Sequence, residues 1–283
     1  LTCQSYIYFL TKVIRTKLVS EHSEHPLRKY QGSSLRIMRG EIKSYLGSIL
    51  CDGILCISQF LIDFYADRGI KRHKLFLVPS TVDTDRFKIK AKPPLPYNYI
   101  LYCGTLTILK DGVDILINSF AILSKKYPDI YLVLLGKANT LESEKLLKGL
   151  ARDLNISDRV VFTGQISRDE VPSYLMNAKI LALARPSSIV AEAGFPSKLT
   201  EYLSTGIPVV VTAVGEIPVY LRDGYNAYLC EPDNADTFAE KLLHVLFNYS
   251  DALEVARNRQ KLTETTFNYR FQAKRIEEFI KTL

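Results

Sequence analysis

From residue 99 onward, short apolar runs alternate with segments whose apolar residues recur at helical spacing. The apolar runs fall at 100–103, 131–135, 160–162, 180–184, 209–212 and 227–229, and helical segments separate them at 112–126, 140–154, 169–177, 197–204 and 216–222. Strand–helix alternation with Gly-rich strand-to-helix turns predicts an α/β fold built on a parallel, doubly wound sheet. Two or three further helices, at 236–247, 252–265 and 269–282, close the chain, and the last is expected to cross back to the first part of the molecule. Before residue 99 the pattern is sparser. It predicts a helix over 2–16 (Tyr6, Ile7, Phe9, Leu10, Val13, Ile14), a strand at Leu18 and Val19, a helix over 35–51, a buried strand at 53–57, a helix over 59–68 and a strand at 75–78. The Lys/Pro-rich positions of 88–98 read as a linker. The expected division is a first domain at 1–90, only partly present, a linker at 91–98, a complete second domain at 99–265, and a returning helix at 266–283.

Composition supports a packed protein: 47% of the 283 residues are hydrophobic and 24% charged. The net charge of +7 is uneven, because residues 1–86 hold 13 Lys and Arg against 8 Asp and Glu. A basic first part suits acidic substrates or an anionic membrane surface. Nucleic acid is not expected, since no recognition motif or aromatic-studded basic stripe accompanies the charge. Five cysteines (Cys3, Cys51, Cys56, Cys103, Cys230) without C-x-x-C spacing point to a reducing compartment and a cytoplasmic location. No run of 18 apolar residues is present to span a membrane. The chain opens at Leu1 with no initiator Met and no signal pattern, in what already reads as helix, so an N-terminally incomplete protein is expected.

Candidate chemistry gathers where strands end. The stretch 184–212 runs from a strand through a loop with Arg185, Gly194, Phe195 and Pro196 into a short helix at Ser197, Lys198, Leu199 and Glu201, then out through Gly206 and Pro208 to the next strand. A helix starting at the carboxyl edge of a parallel sheet directs free N–H groups and its positive dipole end at the crevice where ligands bind, which suits a phosphate. Gly104, Gly136 and Gly164 stand at three further strand ends, and Lys110 can reach a phosphate from the first strand-to-helix loop. In the first domain, His22 and His25 are interleaved with Glu21 and Glu24. They have metal-ligating chemistry, but no third ligand is evident, and no metal is expected. The better reading is a polar strand end on a cleft, where His22, Glu24 or His25 meets a sugar hydroxyl.

These residues carry a resemblance. Tyr102-Cys-Gly-Thr-Leu with Lys110-Asp-Gly, Leu134-Leu-Gly, Val161-Phe-Thr-Gly, Gly194-Phe-Pro-Ser-Lys-Leu-Thr-Glu-Tyr-Leu with Gly206-Ile-Pro-Val-Val, Gly215-Glu-Ile-Pro and Arg222-Asp-Gly-Tyr-Asn-Ala resemble the donor-binding half of family 4 glycosyltransferases. These are retaining enzymes of the GT-B fold, with two facing Rossmann-like domains. Residues 50–87 resemble the end of that family's first domain. The resemblance implies sugar transfer from a UDP- or GDP-sugar to a glycan or lipid-linked acceptor, without a metal and with no cofactor beyond the nucleotide-sugar co-substrate. It implies Lys110 on the donor diphosphate, Glu201 on the ribose, backbone N–H groups near Ser197 and Lys198 on the diphosphate, and Gly194 and Phe195 near the sugar. Peripheral contact with an anionic membrane at its inner face is expected. Two positions depart from the family. Ala193 stands where an acid is usual, with Glu192 one residue off register, and Thr105 stands where Arg is common. Arg185 or Lys198 is expected to supply the missing cation and Glu192 part of the missing acid, so Lys110, Arg185 and Glu192 are the catalytic candidates. Asp83-Thr84-Asp85 matches the D-x-D pattern by which some sugar-transferring enzymes hold a divalent metal, but beside Arg86 at a boundary it reads as a turn or helix cap. Two other readings of the motifs stand beside this one: a sugar-nucleotide epimerase on the same fold, and a non-catalytic nucleotide-sugar binding module.

Overall fold

The computed structural model describes residues 13–25 and 45–283, together with positions 7, 10 and 11. The helices expected over 2–16 and 35–51 fall mostly outside the described residues; positions 7, 10, 11 and 13 and residues 45–50 are helical. The first sheet is formed by β1 (Val19–His22), β2 (Gly53–Cys56) and, after helix α1 (Gln59–Ala66), β3 (Leu75–Leu77), all parallel in the order β1-β2-β3. Ser58 starts α1 by accepting a hydrogen bond from Leu61 N–H at 3.1 Å.

The second sheet begins at β4 (Tyr99–Cys103). It continues through α2 (Ile108–Asp111), α3 (Val113–Lys126), β5 (Tyr131–Leu135), α4 (Leu141–Asp153), β6 (Val160–Gly164), α5 (Val171–Met176) and β7 (Ile180–Leu183). After these come α6 (Ile189–Glu192), α7 (Ser197–Leu203), β8 (Val209–Thr212), α8 (Ile217–Tyr220) and β9 (Tyr228–Cys230). Its six strands are parallel in the order β6-β5-β4-β7-β8-β9. The central strands β4, β7 and β8 are buried at every position, which is why they read as unbroken apolar runs rather than as alternation. The order reverses between β4 and β7, and a crevice opens at such a reversal beyond the strands' carboxyl ends.

Four helices follow: α9 (Ala235–Phe247), α10 (Tyr249–Arg257), α11 (Gln260–Glu264) and α12 (Tyr269–Thr282). The single helix expected over 252–265 is therefore two. The break falls at Asn258 and Arg259, where the Arg259 side chain turns inward and donates from Nε to Leu203 O at 2.7 Å and from Nη2 to Ile207 O at 2.5 Å. α12 lies on the first sheet. Phe279 stacks on Phe76 with ring centroids 4.6 Å apart, and Lys17 Nζ donates to Leu283 O at 2.6 Å.

Two helical turns occupy what the sequence reads as loop. α2 ends at Gly112, in the left-handed conformation at φ 62°, where an added Cβ would lie 1.9 Å from Ala184 O. Neither the conformation nor the contact with backbone oxygen tolerates a side chain. Gly112→Ala is expected to cost at least about 2 kcal/mol and lower Tm by several degrees. Gly149→Ala in α4, where the nearest atom to a new Cβ is the end of Arg152 at 3.9 Å, should be neutral or stabilising. Equal denaturation midpoints for the two variants would overturn this account.

Candidate donor site

A cleft of about 1000 Å³ lies between the carboxyl ends of the two sheets. Its walls come from the end of β1 (Glu21, Ser23, Glu24), the chain leaving β3 (Val78–Asp83, Arg86), the turn after β4 (Gly104, Thr105, Lys110, Asp111), Arg185 after β7, the loop into α7, and one face of α12. The two sheets meet directly beside it. Ser58 Oγ donates to Ala193 O at 2.7 Å, and Glu216 Oε1 accepts from Gln59 N–H at 2.9 Å, so α1 receives its N-terminal carboxylate from the other sheet's loop. Burial raises the pKa of Glu216, and the backbone hydrogen bonds from Phe60 and Gln59 oppose that rise.

A buried charge cluster stands at the sheet's reversal point. Lys198, with its side chain 16% exposed, donates from Nζ to Asp111 Oδ2 at 2.8 Å and to Tyr102 OH at 2.6 Å. Asp111 also accepts from Thr107 Oγ1 at 2.9 Å and from Tyr102 OH at 3.0 Å. Burial pulls the Asp111 pKa upward, but the Lys198 ammonium and the Thr107 hydroxyl outweigh it and hold the carboxyl below its ordinary value. Burial lowers the pKa of Lys198, and Asp111 restrains that fall. Gly104 admits this ammonium: a Cβ there would lie 2.6 Å from Lys198 Nζ. Lys198 thus stands one residue from Thr105. Arg185 is not a surface residue. It is 2% exposed and donates from Nε to Lys110 O at 3.3 Å, behind the turn that presents Lys110. Lys110 crosses the cleft, its Nζ 3.0 Å from Glu24 Oε1.

α7 enters the cleft with Pro196 as N-cap and no side-chain cap bond. It is tied down along its length. Besides Lys198 near its start, Tyr202 OH accepts from Cys103 N–H at 2.6 Å and lies 3.3 Å from Cys103 O. Arg259 holds the Leu203 carbonyl at its end. Burial lowers the Arg259 pKa to about 9, which leaves a cation at the negative end of the helix at neutral pH. One turn beyond Lys198, Glu201 lines the cleft and meets Arg86.

Of the anticipated site residues, Gly104, Thr105, Lys110, Arg185, Gly194, Phe195, Pro196, Ser197, Lys198, Glu201 and Glu24 line the cleft together. Others do not. Glu192 is exposed and outside the lining, because its one-turn helix aims Ala191 inward and Ala193 is buried against the first sheet's core. Leu199 is fully buried in the second sheet's core. Gly136 and Gly164 also lie outside the lining, and Gly136 serves packing, since a Cβ there would meet Gly104 O at 2.0 Å. His22 and His25 turn away from the cleft. Strand alternation sends Glu21 and Ser23 to it and His22 beneath α1, where Nδ1 bonds Tyr65 OH and Nε2 lies 3.0 Å from Ser20 Oγ. His25 is 2% exposed and packs edge-on against Phe64. The sequence reading missed Arg86, Asp111 and Arg168 as lining residues, though Asp111 stood within the quoted Lys-Asp-Gly. Asp83 accepts from Asp85 N–H at 3.1 Å at the start of a short 3₁₀ turn, Thr84–Phe87, and so caps it. Among the described residues, no cluster of three or more His, Cys, Asp or Glu is arranged to hold a metal ion, and no helix is long and apolar enough to cross a membrane.

The family model for glycosyl transferases group 1 matches residues 83–263. The chain belongs to that family. Among the similar proteins is a GDP-mannose-dependent α-(1-6)-phosphatidylinositol monomannoside mannosyltransferase of Mycolicibacterium smegmatis, 26% identical over 196 residues that cover 65% of this chain and 50% of the relative. Mannosylfructose-phosphate synthase of Agrobacterium fabrum is 26% identical over 197 residues, covering 64% of this chain and 42% of that protein. This group 1 glycosyltransferase chain thus spans about half the length of curated relatives it matches. Among solved structures, Anabaena HepE in complex with UDP and glucose superposes with a TM-score of 0.83 at 18% identity, covering 99% of this chain and 75% of that one. The fold of this group 1 glycosyltransferase is accordingly the α/β GT-B arrangement.

Burial lowers the His22 pKa from 6.5 to about 4. The folded state therefore binds this proton less readily than the unfolded chain. The resulting stability is complete above pH 6.5 and is lost as pH falls toward 4, on the order of 3 kcal/mol in all. Denaturation midpoints between pH 7 and 4.5 should fall more steeply for the wild type than for His22→Gln; parallel curves would contradict the burial argument.

Proposed function

We propose that this group 1 glycosyltransferase moves a sugar from a UDP- or GDP-sugar to a glycan or lipid-linked acceptor, with retention of anomeric configuration and without a metal. The observation that carries the reading is the convergence of Lys110, Lys198 and Arg185 with the start of α7 at the sheet's reversal point, one helical turn from the carboxylate of Glu201. Cations and backbone N–H groups suit a diphosphate, and an ionised carboxylate suits a ribose diol. As the glycosyl–phosphate bond breaks, negative charge grows on the leaving diphosphate. Groups already fixed in place stabilise that charge without reorganising. In this reading Lys110 leaves Glu24 for the diphosphate when donor binds. Lys198 supplies the charge that Thr105 lacks, and Arg185 acts from behind through the Lys110 backbone. Gly194 and Phe195 border the sugar.

One similar protein is GDP-mannose-dependent and another is solved in complex with UDP-glucose, which supports a nucleotide-sugar of either base. Retention rests on the family 4 pattern of the motifs. The division into a first domain, a linker at 91–98 and a donor domain belongs to the same proposal. So does a cytoplasmic enzyme whose basic first part contacts an anionic membrane face. Exposed Val13 and Ile14 beside Arg15 and Lys17 support that contact.

Calorimetry and thermal shift with UDP, GDP, ADP and their sugar conjugates test the reading. A nucleotide at about 100 times its Kd should stabilise the protein by about 2.7 kcal/mol. Lys110→Ala should weaken diphosphate binding about tenfold or more, with little effect on the bare nucleoside. Transfer or donor hydrolysis should persist in EDTA and release the sugar with its anomeric configuration retained. No stabilisation by any nucleotide would sink the proposal.

A further inference from the structure

We propose that Arg86, in the connection between the two sheets, is a positioning residue that fixes Glu201 for recognition of the donor ribose. The inference rests on the nucleotide-donor reading above, and it concerns a residue outside α7 and outside the donor sheet. Arg86 Nη1 lies 2.6 Å from Glu201 Oε1, and Nη2 donates to Arg168 O at 3.2 Å. The two side chains are 20% and 28% exposed, so the pair is partly shielded from water and from salt. Both line the cleft.

The backbone that carries Arg86 is held from two sides. Val82 N–H donates to Phe267 O at 2.8 Å, Asp83 caps the 3₁₀ turn, and Phe87 is buried in the second sheet's core. The neighbouring carboxylate of Asp85 is engaged by Lys88 at 2.8 Å and Arg270 at 2.9 Å. The guanidinium is thereby directed to Glu201 rather than to its own turn. A planar fork with one N–H on a carboxylate and another on a carbonyl fixes both partners, which a lysine cannot do. Among the described residues the Glu201 carboxylate makes this one hydrogen bond, through Oε1. Oε2 remains to accept from a ribose hydroxyl, on a carboxylate whose orientation is already set. The ordering that a lone glutamate would undergo on binding is thus complete beforehand.

The test is a double-mutant cycle on the 283-residue chain, read by calorimetry with UDP and GDP and their 2′-deoxy and 3′-deoxy counterparts. Arg86→Met should weaken the ribonucleotide about tenfold and leave at least one deoxy counterpart within about twofold of its wild-type affinity. Glu201→Gln should produce the same selective loss. The double variant should be no weaker than Glu201→Gln alone, because the two side chains act as a unit. Arg86→Lys should recover part of the discrimination, and it keeps the test decisive if Arg86→Met folds poorly. Equal weakening of ribo- and deoxynucleotides would make Arg86 a direct phosphate ligand or a merely structural residue and overturn the proposal. Additive losses in the double variant would overturn it as well. Failure of the wild type to bind either nucleotide would instead defeat the donor reading itself, and this inference with it.

Discussion

Helix α7 is the part on which the site depends, and what matters is that it cannot shift. Lys198 ties its first turn to Asp111, Tyr202 seats its second half on the last residue of β4, and Arg259 takes the carbonyl of its last residue, Leu203. Each tie joins the helix to a different element, so sliding or rotating α7 would break several charge-assisted hydrogen bonds at once. A buried guanidinium is costly unless it is well paired. At the end of α7 it meets the Leu203 carbonyl that the helix leaves unpaired, where its charge and the helix dipole agree, and it also holds Ile207 O in the loop beyond.

The sheets themselves were legible from residue pattern. Strands buried on both faces carry few polar groups, and those are hydrogen-bonded, as Thr212 is to Arg185 O, so β4, β7 and β8 announce themselves as nearly unbroken apolar runs. The helix at 197 was equally plain, bounded by Pro196 before and Gly206 after. The one-turn helices α2 and α6 were not, because four residues are too few to show a period. The split between α10 and α11 was hidden for another reason. Arg259 reads as a surface residue of a continuous helix, and its partners lie 52 and 56 positions away.

The site was legible on its donor side and poorly legible opposite. Lys110, Lys198 and Glu201 stand at positions that strand ends and helix spacing identify without tertiary information. Which of His22, Ser23, Glu24 and His25 faces the cleft turns on the phase of one four-residue strand. Only pairing with β2 and cover by α1 fix that phase. Glu192 fails similarly, since its one-turn helix spends the inward positions on Ala191 and Ala193. Arg86 was passed over because its partner is 115 residues away.

The packing of α12 has a consequence for how the chain acquires its fold. β2 and β3 are covered by residues 198 or more positions downstream, with Arg275 reaching Leu77, Phe279 stacking on Phe76 and Leu283 lying over Gly53. During synthesis the first sheet is made before α12, and its apolar side stays open until the 198 positions from Leu77 to Arg275 have followed. Closure over that separation is entropically expensive and slow. Until α12 arrives, Phe76 and the strip beside Gly53 form a sticky surface on a nascent chain. The order of translation therefore runs against the order of burial, and apolar surface left open in this way is prone to aggregate.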